Sequence, residues 1–231
     1  MNGALIGIEG AWGHFKKPET NNNPLTHDFI TKTALIGLIG AVTGKSRIEM
    51  KPLFPQLSED LQYGVQVIGE VQKESWAFTL RKAVNQIDKA PKHMEFLHNP
   101  KFLVAIALFG ERSQNVWIEF LSRVKVEEAI YTPVLGIHNC PANLHFIKEG
   151  IFEKRKGEFS TYGFVKNPHK IQIKSSRKFR IGFDKIPTYQ NNDFWNLPDR
   201  YIEVIYPTNG NTIEVNGEYF QFSDGSNWVL V

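Results

Sequence analysis

At 231 residues and 42% hydrophobic side chains, the chain can bury a real core as one large domain or two small ones. A single cysteine, Cys140, excludes an intramolecular disulfide, and no CxxC or Cys/His cluster offers a structural zinc site, so a reducing, cytoplasmic setting is expected. The net charge of +3 says little alone, and the first apolar run follows no basic residue and is broken by Gly7, Glu9 and Gly10, so neither a signal peptide nor a membrane span is expected.

In chain order, Ala4 to Ile8 reads as a buried strand ending at Gly10. From Trp12 to Ile30 the pattern breaks, and Pro18, Asn21, Asn22, Asn23 and Pro24 mark a long loop of the kind that often carries function. Thr31 can cap a helix whose apolar face is Ala34, Leu35, Leu38, Ile39 and Val42 and which Gly44 stops. Gly37 and Gly40 inside that helix each cost about 0.5–1 kcal/mol relative to alanine. A close approach of backbone to sheet or ligand is expected to compensate.

A second strand is expected around Tyr63 to Val71, and a continuously apolar third at Phe102 to Phe109. Between them Gln72 to Lys101 forms a polar arm with six basic and three acidic residues, too long for a tight hairpin and able to project as a finger. Val116, Trp117, Phe120, Leu121 and Val124 predict a second amphipathic helix, and Ile130 to Thr132 a following strand. The order strand, helix, strand, strand, helix, strand is that of a ferredoxin-like sheet. Beyond about Leu144, strand-like runs at 145–147, 170–173, 201–206, 212–215, 219–222 and 228–231, separated by turn signals at Asn209-Gly210, Asn216-Gly217 and Asp224-Gly225, predict a mostly β lobe.

Chemistry is sparse. Gly40 to Ser46 approaches a phosphate-binding loop but has three residues between its glycines instead of four and ends a helix instead of following a strand. None of the seven histidines forms an HxxxH or HExxH pair, so no metal or other cofactor is expected. Cys140 has no signature of an activated thiolate. Lys92 and His93 are the one neighbouring pair able to serve metal-free RNA cleavage, His as acid or base and Lys stabilising the phosphorane, because RNA carries its own 2′-hydroxyl nucleophile. Ten basic residues against two acidic ones between Lys154 and Lys185 make either a solvated strand face or a polyanion-contacting surface, with Phe159, Tyr162, Phe164, Phe179 and Phe183 interleaved for stacking or for the core.

Several segments together carry a resemblance. Gly10 to Pro18 (GAWGHFKKP), Leu25-Thr26, Thr31 to Ala41 (TKTALIGLIGA), Asn99 to Phe102, Tyr131 to Gly136 and Asn139 to Ala142 resemble the CRISPR-associated Cas family five, in texture the type I-B group, and Ile186-Pro187 with Asp199-Arg200 extends the likeness. The resemblance implies an α+β chain: a ferredoxin-like (RRM-type, RAMP) domain over 1–145 with a thumb at about 72–101, and a small β-rich domain over 146–231. It implies a non-catalytic subunit that caps the 5′ handle of the CRISPR RNA. Its partners would be the repeated backbone subunit and the large subunit of a type I surveillance complex, with target DNA inside that complex and no membrane. One subtype of the family processes precursor RNA with tyrosine, lysine and histidine. Here Lys92 and His93 are present, but Phe29 and Ile30 enter the first helix where tyrosine is needed. The expected RNA contacts are Trp12, His14, Phe15, Lys16 and Lys17 beside the first strand, Lys32, Thr33, Lys45 and Arg47 flanking the glycine-bearing helix, Trp76, Arg81 and Lys82 on the thumb, and His138 and Asn139 on a loop that could read a base edge.

Overall fold

The computed structural model describes residues 1–81, 89–166, 170–172, 181–188, 198 and 200–231. In chain order these form β1 (Asn2–Glu9), β2 (Trp12–Gly13), α1 (Lys32–Val42), α2 (Arg47–Asp60), β3 (Leu61–Val67), β4 (Lys73–Arg81), β5 (Lys89–His98), β6 (Lys101–Leu108), α3 (Gln114–Lys125), β7 (Asn143–Thr161), β8 (Val165–Lys166), β9 (Lys170–Gln172), β10 (Ile181–Thr188), β11 (Arg200–Pro207), β12 (Ile213–Phe222) and β13 (Asn227–Trp228). The fold is α+β. No helix among the described residues is long and apolar enough to cross a membrane.

The main sheet runs β13-β12-β7-β1-β6-β3, every pair antiparallel, with β9 also on β12. Its centre explains the unbroken apolar runs of β1 and β6. Ala4, Ile6, Ile8, Val104 and Ile106 face the helices, while Leu5, Ala105 and Ala107 face a second cluster with Phe152, Phe222 and Trp228. A strand covered on both faces has no need to alternate.

The helices follow local chemistry. Thr31 Oγ1 accepts the Ala34 amide at 3.4 Å, and at the other end Lys45 and Gly44 amides return to the Gly40 and Ala41 carbonyls around Gly44 at φ +68°, a left-handed stop that glycine tolerates. Gly40 meets the expected close approach, because a Cβ there would lie 2.7 Å from Met50 Sδ of α2. Gly37 does not: it is exposed and faces open space.

Residues 47–60, for which the sequence analysis assigns no element, are helical, with a reciprocal Ser46–Glu49 capping box and Pro52 and Pro55 inside. Two expectations need correction. Ile130 to Thr132 forms no strand; Ile130 and Tyr131 donate to Val42 and Ala41 carbonyls instead, and the strand paired to β1 is the 19-residue β7. The arm at 72–101 is built from β4 paired antiparallel with β5, from Lys73–Leu97 to Arg81–Lys89. Asn216-Gly217 is not a turn but lies inside β12 opposite Glu158 and Gly157, whereas Asn209-Gly210 and Gly225 adopt positive φ as turn residues.

The 145/146 division falls inside β7, whose first half pairs with β1 and whose second half pairs with β12. A separate small sheet, β10-β11-β8, contributes Ile186, Val204 and Tyr206 to the main core.

Candidate nucleic-acid interface

The long loop after β2 is folded tightly against its neighbours. Phe15 and Thr26 are joined by a 2.9 Å bond from the Phe15 amide to Thr26 Oγ1, and the His27 and Lys17 amides donate to the Phe15 and Leu25 carbonyls at 2.8 Å. Its asparagine turn docks on the hairpin: Lys92 Nζ reaches Asn22 Oδ1 at 2.8 Å, and the His93 amide reaches Asn23 Oδ1 at 3.3 Å. His14 and Phe15 are therefore core residues, 1% and 3% exposed, and offer no free face for a base. His14 Nδ1 lies 2.7 Å from the Glu95 carbonyl oxygen, and burial pushes its imidazole below the usual pKa.

A second loop closes beside the first. Leu135 is buried, its amide donating to the Cys140 carbonyl at 2.7 Å and its carbonyl accepting the His14 amide at 2.9 Å. Gly136 holds φ +90° at that point. The tip it supports carries His138 and Asn139, both exposed.

Between these loops and α1 lies a groove of 330 Å³ whose walls include Lys16, Thr31, Thr33, Gly37, Val134 and Gly136. The structure thus gathers Lys16 and Thr33 in one place, with His138 and Asn139 on the loop that forms a wall. Thr33 of the first turn of α1 lies on this wall, and Gly37 lets a ligand approach the helix backbone without meeting a side chain.

The other expected contacts are elsewhere. Lys32 points to a different cavity. Lys45 pairs with Glu119 at 3.2 Å and lies past the C-terminal end of α1, and Arg47 opens α2. Trp12 and Trp76 are partly buried in an edge-to-face pair at 4.5 Å, with Phe96 and His98 against Trp12 and Phe78 against Trp76. This cluster ties the base of the hairpin to the core. Arg81 sits on β4 opposite Lys89, and Lys82 lies outside the described residues. Lys92 and His93, adjacent on β5, direct their side chains to opposite faces and do not converge on one phosphate.

Lys17 is drawn into a network with no sequence signal. It pairs at 3.3 Å with Asp184, which also accepts His27 Nδ1 and the Asp28 amide, each at 3.0 Å. Burial alone would raise the Asp184 pKa, but His27, the Asp28 amide and Lys17 together bring it down to about 2. Alongside, Lys73 pairs with Asp28 at 2.6 Å and Glu95 at 3.2 Å, and the Tyr206 hydroxyl donates to Asp28. These contacts span up to 178 positions and fasten β10 and β11 to the loop and hairpin. Of the basic stretch, Lys154, Arg155 and Lys185 pair with Glu218, Glu153 and Glu203, and 167–169 and 173–180 lie outside the described residues.

Among the described residues no group of three or more His, Cys, Asp or Glu is placed to hold a metal. No curated protein matches the chain. Among solved structures it is similar to a CRISPR protein from Archaeoglobus fulgidus, with a TM-score of 0.60 at 14% identity over 99% of this chain and 98% of that one. It is also similar to a chain of a CRISPR RNA-guided surveillance complex, with a TM-score of 0.54 at 12% identity over 93% and 91%. At these identities the likeness is one of fold. The model of the CRISPR-associated protein (Cas_Cas5) family matches residues 5–149, well over half of the chain, and the chain belongs to that family.

Proposed function

We propose that the chain is a non-catalytic RNA-binding subunit of a CRISPR surveillance complex and that it seats the 5′ handle of the CRISPR RNA in the groove beside α1. The observation that carries this is the groove itself: Lys16 and Thr33 meet the exposed Gly37 stretch of α1 and the Gly136 loop around one open space. Single-stranded RNA needs cations and amides for its phosphates and exposed polar groups for its base edges. Lys16, the first turn of α1, and His138 with Asn139 supply these in that order.

In this reading the β7-β1-β6-β3 sheet with α1 and α3 is a ferredoxin-like platform, and the β4–β5 hairpin is the thumb. The partners are the repeated backbone subunit and the large subunit of a type I complex of the I-B group, working in the cytoplasm on target DNA. The A. fulgidus and surveillance-complex likenesses support the fold part of this, and family membership supports the rest.

The test is binding of handle-containing RNA against a scrambled RNA of equal length at physiological salt, with the purified chain and with the complex. Preference for the handle is expected; equal affinity overturns the reading. Incubation with repeat RNA in EDTA is expected to leave the RNA intact, and cleavage lost in His93→Ala would replace this proposal with that of a metal-independent endoribonuclease.

A further inference from the structure

The groove beside α1 takes part of its wall from a distant stretch of the chain. Phe15 and Lys16 come from the loop after β2, Thr33 and Gly37 from α1, Val134 and Gly136 from the second loop, and Pro187 from β10. β10 belongs to the small β10-β11-β8 sheet and pairs with no strand of the main sheet among the described residues. Side-chain contacts therefore set where Pro187 stands relative to Lys16.

Asp184 makes those contacts. It lies on β10 three residues before Pro187, and its side chain is 2% exposed. Oδ1 accepts His27 Nδ1 at 3.0 Å and lies 3.3 Å from Lys17 Nζ, and Oδ2 accepts the Asp28 amide at 3.0 Å. These partners sit on both arms of the loop after β2. Lys16 bridges to Thr26 and the His27 amide donates to the Phe15 carbonyl, so the arms run side by side. Lys16 and Lys17, adjacent in one extended arm, turn to opposite sides, Lys16 to the groove and Lys17 to Asp184. One carboxylate thus ties both arms of the loop to the strand that carries Pro187.

A buried carboxylate adds little net stability, because desolvation offsets much of the attraction to its partners; what it supplies is one fixed arrangement of them. Binding groups on loops hold their geometry only where further contacts support them. Lys16 needs such support, since its own nearest partner is Asn21 Oδ1 at 3.5 Å.

We propose that Asp184 is a positioning residue of the RNA groove: acting through Lys17, His27 and Asp28, its carboxylate holds the loop so that the Lys16 ammonium meets a phosphate of the bound strand. The proposal rests on the RNA-binding reading for the ligand, and on the Asp184 contacts for the geometry.

The experiment is a double-mutant cycle on RNA affinity with the full chain, at physiological salt and at a temperature where every variant is folded by circular dichroism. Asp184→Asn keeps the shape of the side chain but loses the charge that holds Lys17. Charge alone predicts tighter RNA binding, since a negative charge is removed. Positioning predicts the opposite: binding weaker by about fivefold, the upper end for an exposed ion contact, and a slope of log affinity against log salt lower by about 1. In a Lys16→Ala background the same substitution should change affinity by less than about twofold, because the contact it acts through is gone. Lys17→Gln, which leaves the His27 and Asp28 bonds in place, serves the same cycle if Asp184→Asn does not fold, and its effect too should vanish without Lys16. An equal loss in both backgrounds would assign the network a general structural role and overturn the proposal, as would tighter or unchanged binding in Asp184→Asn. The handle reading fails separately, if wild type binds handle and scrambled RNA alike while the coupling to Lys16 persists. Wild type that binds neither RNA overturns both.

Discussion

Gly136 lies flat against His14: a Cβ added to Gly136 would sit 1.9 Å from the His14 carbonyl oxygen, while the residue before it, Leu135, accepts the His14 amide at 2.9 Å. The position is closed to side chains twice over, by contact and by φ +90°. Gly136→Ala must therefore push the loop away from the strand or strain both. A loss of about 2 kcal/mol or more is expected in denaturant unfolding. RNA affinity should fall with it, since the same loop walls the groove. An unchanged unfolding midpoint would mean the loop yields freely and does not fix the site.

The buried acid–base network sets the pH response. Asp184 has its pKa brought from 3.8 down to about 2 in the folded chain, so its contribution, on the order of 2 kcal/mol, is complete above about 4 and lost as pH falls toward 2. His14 acts at higher pH with the same sense. Its folded pKa lies below 6.5, so the unfolded chain binds the proton first and stability begins to fall as pH drops below about 6.5. Unfolding free energy measured from pH 7 to pH 2 should decline in two stages. Asp184→Asn should flatten the lower stage, and a lower stage equally steep in that variant would remove Asp184 from the account.

These residues also mark how far the sequence could be read. β1, α1, β6 and α3 were legible because local signals decide them: apolar runs for the central strands, a threonine cap, and a helical stripe of Trp117, Phe120, Leu121 and Val124. Helix α2 had its own signal in Ser46-x-x-Glu49, with Pro52 and Pro55 inside the helix as contrary ones. Around the groove, Lys16, Thr33, His138 and Asn139 were visible as loop and cap residues. Their neighbours His14 and Phe15 were not separable from them, because whether an aromatic faces solvent depends on contacts such as His14 with Glu95, 81 positions away. Asp184 had no signal at all, since its partners Lys17, His27 and Asp28 lie more than 150 positions earlier.

Trp76 clamps the hairpin to the body through Trp12 and Phe96, at centroid distances of 4.5 and 4.8 Å. Trp76→Ala should cost about 2 kcal/mol, less than a fully buried tryptophan because its ring is only partly covered. The loss should be local. Amide exchange of β4 and β5 is expected to quicken while β1 and β6 stay protected, and uniform loss of protection would show that the hairpin is no separate unit.

Lys16 is exposed, its nearest partner the Asn21 side-chain oxygen at 3.5 Å, so it is available to a phosphate. Lys16→Ala should leave stability within about 0.5 kcal/mol of wild type. It should weaken RNA binding uniformly across sequences and lower the slope of log affinity against log salt by about 1. Asn139→Ala should instead reduce the preference for handle over scrambled RNA and keep the salt slope. The reverse pattern would exchange the two roles.

Gly37 and Gly40 look alike in sequence and separate in the structure. A methyl group on Gly37 meets nothing within 4 Å, so Gly37→Ala should gain the helix-propensity difference, about 0.5–1 kcal/mol. On Gly40 it would lie 2.7 Å from Met50 Sδ, so Met50 must swing aside and the α1–α2 contact loosen, which cancels the gain. Gly37→Ala should thus melt higher than wild type and Gly40→Ala should not. Gly37 also lines the groove, and there the new methyl occupies the space left for ligand backbone. The more stable variant should therefore bind handle RNA less tightly than wild type, a trade of stability against function at one carbon atom. Tighter or unchanged binding in Gly37→Ala would place the RNA somewhere other than against α1.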